Sequence, residues 1–284
     1  MAATAFIILL GVPAITACRN TSTGALGRIQ RAGRILIATD ALYPPNEFKR
    51  GDQIVGFDVD LGTALARKLG VRAEFQDVRF DTILQALDEG KYDISLSSFT
   101  DTRERESRFD FVTYLSAGTM LMVPSGNPRR LRPDGLSLCG KKIAVERGTT
   151  QEEELSRKDP TRPGTGTRVD ACRSAGRPAP IRLSYDDQAA ANEALMKGQA
   201  DASLTDSPSA TYTAKESRGR LQCAGSPYRT GLYGVVIPKR AGDLRDAIFK
   251  AMKTLMSDGT YRRLTAQWGL TTGEVPDTRI NAAE

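Results

Sequence analysis

The sequence predicts an α/β protein of two lobes, each an open sheet flanked by helices. Three observations point there. Strand and helix segments alternate with the same rhythm in two successive halves. The strand segments are continuous apolar runs, as strands of a parallel sheet buried on both faces should be. The chain has 284 residues, enough for two domains of ordinary size, and at 40% hydrophobic and 26% charged it can bury a core.

The first half opens with the strand Arg34-Ile-Leu-Ile-Ala-Thr39. Asp58 to Leu69 follows as a helix, with Val59, Leu61, Ala64, Leu65 and Leu69 near one face and Gly70 positioned to end it. Val71–Phe75 reads as strand, Asp81 as the cap of a helix carrying Ile83, Leu84 and Leu87 up to Gly90, and Tyr92–Leu96 as the next strand. This βαβαβ order implies a parallel sheet with right-handed crossovers. The rhythm restarts after residue 140: strand Lys142–Val145, helix Thr150–Ser156, strand Ile181–Ser184, helix Asp187–Lys197, strand Ala200–Leu204. Tyr233–Pro238 is a late strand, and helices near Asp243–Met256 and Thr260–Trp268 complete the chain; if these rejoin the first half, two crossovers connect the lobes. Arg157–Arg182 holds seven Lys and Arg, two Asp and four Pro, and reads as a surface excursion. It lacks the interleaved aromatics of an RNA arm, so no nucleic-acid partner is expected.

Composition narrows the chemistry. The net charge is +6 and spread along the chain, which fits an exposed soluble protein better than a nucleic-acid binder. There is no histidine, which removes Ser-His-Asp triads, Cys-His pairs and HExxH zinc sites. Gly135-Leu-Ser-Leu-Cys-Gly-Lys-Lys142 imitates a phosphate-binding loop but carries Lys142 where Ser or Thr must hold magnesium, and it runs into a strand. Gly164-Thr-Gly-Thr-Arg-Val169 lacks the third glycine of a dinucleotide fingerprint. No metal or cofactor is expected.

Ala5–Ile15 is an apolar run broken by Pro13. At about 11 residues it is too short to span a bilayer and has the length of a signal-peptide core. The Lys or Arg that normally leads such a run is absent, which leaves open a start upstream of Met1. Ile15-Thr16-Ala17-Cys18 resembles a bacterial lipobox, so cleavage before Cys18 and a lipid on its sulfur are expected. Outside the cell disulfides persist, and Cys139, Cys172 and Cys223 allow three single pairings. Cys139–Cys172 is favoured because these two flank a segment in need of a clamp.

A set of stretches, taken in order and spacing together, resembles the extracellular solute-binding proteins of polar amino-acid ABC importers, family 3. They are Ala38–Pro44, Gly56-Phe-Asp-Val-Asp-Leu61, Phe80-Asp-Thr-Ile83, Tyr92–Arg105, Gly148-Thr-Thr-Gln151, Ala200–Asp206 and Tyr233–Pro238. The basic excursion is the departure, being longer than in the shortest members. The resemblance implies a two-lobe periplasmic-binding-protein-like fold of type II with a two-strand hinge. The expected organisation is a signal peptide over 1–17, a tether over 18–33, one lobe from 34–116 plus 232–272, a second from 117–231, and a tail over 273–284. It implies a monomer, anchored through lipid on the outer face of the membrane, that hands a free amino acid to permease subunits.

A desolvated amino acid needs partners for both its carboxylate and its ammonium. Arg105 offers a planar fork for the carboxylate, and Ser97, Ser98, Thr100 and Thr150 can add hydroxyl or backbone donors. Asp206, after a buried strand, can take the ammonium. In the resemblance Tyr43 and Phe80 sandwich the ligand's side chain, while Asp40 and Glu146 face its end. Two carboxylates there favour a basic amino acid, with glutamine next; Arg147 is the counter-indication, because turned inward it would neutralise Glu146 and admit glutamate or aspartate. Two other readings share the pocket: a sensor module reporting an amino acid, and a dehydratase-like enzyme with Glu146 as acid/base. No second catalytic partner stands out, so the expectation is a binding protein without turnover.

Overall fold

The computed structural model describes residues 24–156 and 167–283. The expected signal peptide, Cys18 and residues 157–166 of the basic excursion lie outside the described residues. Helix α1 (Ala25–Ala32) precedes the first strand and buries Ile29 completely. Its first amides donate to a carboxylate from the far end of the chain, Ala25 N–H and Leu26 N–H to Asp243 at 3.2 and 3.0 Å. The stretch expected as a tether is therefore folded from residue 25 on.

The first lobe continues with β1 (Arg34–Thr39), a small antiparallel sheet of β2 (Leu42–Tyr43), β3 (Glu47–Arg50) and β4 (Gln53–Val55), then α2 (Phe57–Lys68) and β5 (Arg72–Asp77). Helix α3 (Phe80–Asp88), β6 (Ile94–Ser95) and the single turn α4 (Arg103–Glu106) lead into the long strand β7 (Phe109–Pro124). The second lobe holds β8 (Lys142–Glu146), α5 (Thr150–Glu154), α6 (Thr167–Ser174), β9 (Ile181–Tyr185), α7 (Gln188–Met196), β10 (Ala202–Asp206) and α8 (Ser207–Glu216). Strand β11 (Leu221–Pro238) returns to the first lobe, where α9 (Gly242–Ser257) and α10 (Thr260–Trp268) pack.

The main sheet has eight strands in the order β5-β1-β6-β11-β7-β10-β8-β9. Parallel β5-β1-β6 form one end and parallel β10-β8-β9 the other, with antiparallel β11 and β7 between them. These two strands pair from Phe109↔Pro238 to Pro124↔Leu221 and so belong to both lobes. Their register slips at Tyr228/Gly231, beside Ala117 and Thr119, where the chain passes from one lobe to the other. This is the two-strand hinge. Each lobe has its own apolar core. Ile35, Ile37, Leu61, Tyr114, Val235 and Met252 are among the first; Leu121, Ile143, Val145 and Leu204 are among the second.

Four features differ from expectation. Strand β7 is absent from the sequence reading because it is buried on both faces and carries no alternation, and the first half of β11 because it is largely exposed and has no apolar run. Helix α8 follows Asp206 directly, started by Pro208 in its first turn. The excursion is a surface loop only in part: α6 buries Val169 and Cys172, and Arg168 pairs with the buried Glu154 at 2.6 Å. Residues from Gly273 onward are no loose tail, since Ile280 bridges Val112 on β7 and Thr278 is buried. The expected disulfide is present, Cys139–Cys172, tying α6 to the loop before β8. Closing a loop of 33 residues contributes about 3–4 kcal/mol by restricting the unfolded chain.

Candidate functional site

The carboxyl ends of the parallel strands of both lobes face each other across a cleft, the position where open α/β sheets bind ligands. It is lined by Asp40, Tyr43, Glu47, Phe80, Ser97, Ser98, Thr100 and Arg105 from the first lobe and Glu146, Thr149, Gln151 and Asp206 from the second. The structure thus brings together nine of the ten expected ligand-binding residues. Thr150 is the exception. The first residue of α5, it is not part of the lining, while Thr149, the cap before it, and Gln151, the residue after it, are.

Arg105 is held by the short helix α4, whose N-terminus is capped by Thr102 accepting from Arg105 N–H at 3.3 Å. The guanidinium lies over the rings of Phe99 and Phe80, 5.0 and 5.8 Å from their centroids. It donates to Thr100 O at 2.9 Å and, across the cleft, to Gly148 O at 3.0 Å. Burial pushes its pKa down, against the pull of Glu153 and Asp206. Phe80 stacks on Phe99 at 4.2 Å, so it is both core and cleft wall.

Asp206 closes β10 and precedes α8, yet its side chain caps no helix amide. Its two oxygens instead accept from Gln151 Nε2 at 2.7 Å and from the Tyr43 hydroxyl at 3.0 Å. The Tyr43 oxygen in turn accepts from Asp206 N–H at 3.1 Å, so the two lobes are bonded to each other through these residues. On the first lobe, Asp40 N–H donates to Ser97 Oγ at 2.8 Å and Asp40 Oδ2 accepts from Phe80 N–H at 2.9 Å. Ser98 sits at φ 53, a strained conformation for a non-glycine residue. It is held there by its N–H donating to Asp58 and its hydroxyl to Glu47, at 3.0 and 3.3 Å.

Electrostatically the cleft is lopsided. Four carboxyls, Asp40, Glu47, Glu146 and Asp206, line it against one guanidinium, Arg105. Burial pushes all four pKa values up, Asp40 to about 7 and Glu146 well above the carboxylate range. The repulsion of Asp40 and Asp187 adds to the rise at Glu146. Arg147 does not relieve it. That side chain is 45% exposed and turns to the cleft rim, pairing with Asp186 at 3.2 Å and Asp81 at 3.7 Å.

Sequence reasoning missed Glu47, Thr149 and Gln151. Gln151 stands in the Gly148-Thr-Thr-Gln151 stretch, where Thr150 is the expected donor. Glu47 pairs with Tyr43 across the β2–β3 hairpin, a short turn with no periodic signal to reveal a buried acid.

Gly148 is a point of close approach between the lobes. It has φ +79, and a Cβ there would stand 3.1 Å from the Cα of Asp81 on the opposite lobe. Gly148→Ala is therefore expected to hold the lobes apart and weaken ligand binding about tenfold or more, with left-handed strain of about 1–2 kcal/mol in addition. Small-angle scattering with saturating ligand checks this. A variant that closes like the wild type would mean the contact does not limit closure.

The comparisons with known proteins follow the same outline. The pattern of the bacterial extracellular solute-binding proteins, family 3, matches residues 35–271. The arginine-binding protein ArgT of Corynebacterium glutamicum is 33% identical over 254 residues, covering 89% of this chain and 80% of its own. The L-cystine-binding protein TcyJ of Escherichia coli is 28% identical over 268 residues, covering 92% and 94%. Among solved structures, the P235GK mutant of ArgBP from T. maritima superposes with a TM-score of 0.76 at 29% identity, covering 86% of this chain and 99% of its own. Since the family pattern runs through both lobes and both hinge strands, and a relative one-third identical accompanies it over most of both chains, the chain belongs to the bacterial extracellular solute-binding proteins of family 3.

Proposed function

We propose that the protein captures a basic L-amino acid, arginine in the first place, between its lobes and serves as the extracellular binding subunit of an ABC importer. The observation that carries this is the excess of buried carboxyls over cations in the cleft. Arginine brings a guanidinium, an ammonium and a carboxylate. The carboxylate would take the fork of Arg105, and the ammonium would replace the Tyr43 hydroxyl on Asp206. The guanidinium would lie between Tyr43 and Phe80 with Asp40 and Glu146 at its end, where each desolvated charge is paired. Glutamate or aspartate would add a carboxylate to a wall whose one cation is already engaged. The arginine- and cystine-binding relatives both take amino acids.

Closure would move the first lobe (34–116 with 232–272) against the second (117–231) about the irregular pairs near Tyr228 and Gly231. Cys18 would carry the lipid that keeps a monomeric protein beside its permease. Ser97, Ser98 and Thr100 would complete the donors around the carboxylate, with Thr149 in the place expected of Thr150. The dehydratase reading requires Glu146 to work with a proton-transfer partner, and the groups that raise its pKa are Asp40, Asp187, Asp206 and Asp81, all acids.

The test is a thermal-shift panel of the twenty amino acids with ornithine and citrulline, on protein freed of copurified ligand by partial unfolding and dialysis. A ligand at 100 times its Kd adds about 2.7 kcal/mol of stability. Arginine, lysine or ornithine are expected to give the large shifts. A shift with glutamate alone would overturn the charge argument, and no shift with any amino acid would overturn the pocket.

A further inference from the structure

The last described residues reach back to the turn that holds the carboxylate anchor. Thr278 Oγ1 donates to Thr113 O at 2.7 Å, and Arg279 N–H donates to Thr113 Oγ1 at 2.8 Å, laying the segment along β7. Asn281 then turns the chain at φ 53, a conformation asparagine tolerates. Its side chain accepts from Phe111 N–H at 2.8 Å and donates to Asp110 at 3.0 Å. Beyond it, Ala282 N–H donates to Asp101 Oδ2 at 2.7 Å, and Ala283 N–H donates to Glu106 Oε1 at 2.9 Å. Asp101 precedes α4 and Glu106 is its last residue, with Arg105 between them. The other side of this turn is pinned to the hinge, where Asp101 N–H donates to Leu232 O at 2.7 Å and Thr100 bridges Tyr233.

We propose that the segment Thr278–Ala283 is a positioning strap for amino-acid capture: through Asp101 and Glu106 it fixes the turn and helix that aim Arg105 into the cleft. A single turn of helix cannot hold its own orientation, because too few backbone bonds offset its ordering. The strap supplies the missing constraint from outside the lobe's core, and Asp101 is the positioning residue through which it acts.

Simple electrostatics gives the opposite sign for the decisive variant. Asp101 is an acid whose charge acts on Arg105. Neutralising it without moving the turn would free the guanidinium for a ligand carboxylate and tighten binding. Positioning requires that Asp101→Ala weaken binding, and that Asp101→Asn, which can still accept from Ala282 N–H, restore it.

The experiment compares L-arginine with L-argininamide, which lacks the carboxylate, on full-length protein and these two variants, by calorimetry. It rests on the arginine reading, so amide exchange of residues 103–107 is followed in ligand-free protein as a readout independent of ligand identity. Asp101→Ala is expected to weaken arginine about tenfold, to change argininamide less than twofold, and to speed exchange in 103–107 about tenfold. Asp101→Asn is expected to stay within twofold of wild type in all three, and truncation after Asp277 to behave as the alanine variant. Equal weakening of both ligands, tighter arginine binding, or unchanged exchange in 103–107 would overturn the strap. A wild type that binds neither ligand but shows the exchange pattern would overturn the arginine reading and leave the strap standing.

Discussion

Arg105→Ala is expected to raise the Kd for L-arginine by about a hundred- to a thousandfold. The guanidinium is nearly buried, stacked over Phe99 and bonded to carbonyls of both lobes. No carboxylate oxygen in the described structure comes within hydrogen-bond reach of it, so a ligand carboxylate would meet a desolvated, pre-aimed fork. Removing one partner of such a pair leaves the other charge buried alone, which costs about 3–5 kcal/mol, and each 1.4 kcal/mol is tenfold in Kd. Arg105→Lys keeps the charge and loses the planar fork, so it is expected to fall between the two. Titration calorimetry at neutral pH measures all three proteins. An alanine variant within tenfold of wild type would remove Arg105 from the ligand's carboxylate and leave the cleft without an assigned anion site.

The parts of the fold legible in the sequence are those where burial is periodic. Helices α2, α9 and α10 carry apolar residues on one face, and β1, β8 and β9 are short runs bounded by turns. Strands β7 and β11 obey neither rule, because they cross from one core to the other: β7 is buried along nearly its whole length, while β11 passes from a largely exposed first half to a buried second half. The site divides in the same way. Asp40, Arg105 and Asp206 stand at strand or helix ends inside recognisable stretches, and Glu146 stands just before one, so their chemistry is readable. Glu47 was not, because a buried acid on a three-stranded hairpin looks like any exposed hairpin glutamate until Ser97, Ser98 and Asp58 are seen around it. The strap was hidden for another reason: its bonds to Asp101 and Glu106 span more than 170 residues of sequence.

Raising the pH from 5 to 8 is expected to destabilise the ligand-free protein and to enlarge the stabilisation that arginine confers. Burial raises Asp40 to about 7, Asp58 to about 6 and Asp101 to about 7, from an ordinary value of 3.8. The folded protein therefore holds protons that the unfolded chain has released. Stability from such groups is complete below the unfolded pKa and is lost as the pH climbs through the folded one. For Asp40 alone the loss between pH 5 and 8 is about 2.5 kcal/mol. Besides burial, the groups acting on Asp40 are the Phe80 and Leu42 N–H groups, which favour its charge, and Asp77 and Asp187, which oppose it. Glu146 faces it from the other lobe and carries the same penalty. A guanidinium between Asp40 and Glu146 reverses the preference, because it pairs the ionised form. Binding below pH 7 must then expel a proton, and arginine affinity is expected to fall by up to about tenfold per pH unit between 7 and 5 for each proton released. Glutamine, which brings no cation to that end of the cleft, is expected to show no such slope. Melting temperatures with and without arginine across this range, with calorimetry in buffers of different ionisation enthalpy, measure both effects. A ligand-free melting temperature that rises from pH 5 to 8, or arginine binding without proton release, would mean that Asp40 and Glu146 are already ionised, and that the cleft's unpaired acids do not set its preference for a cation.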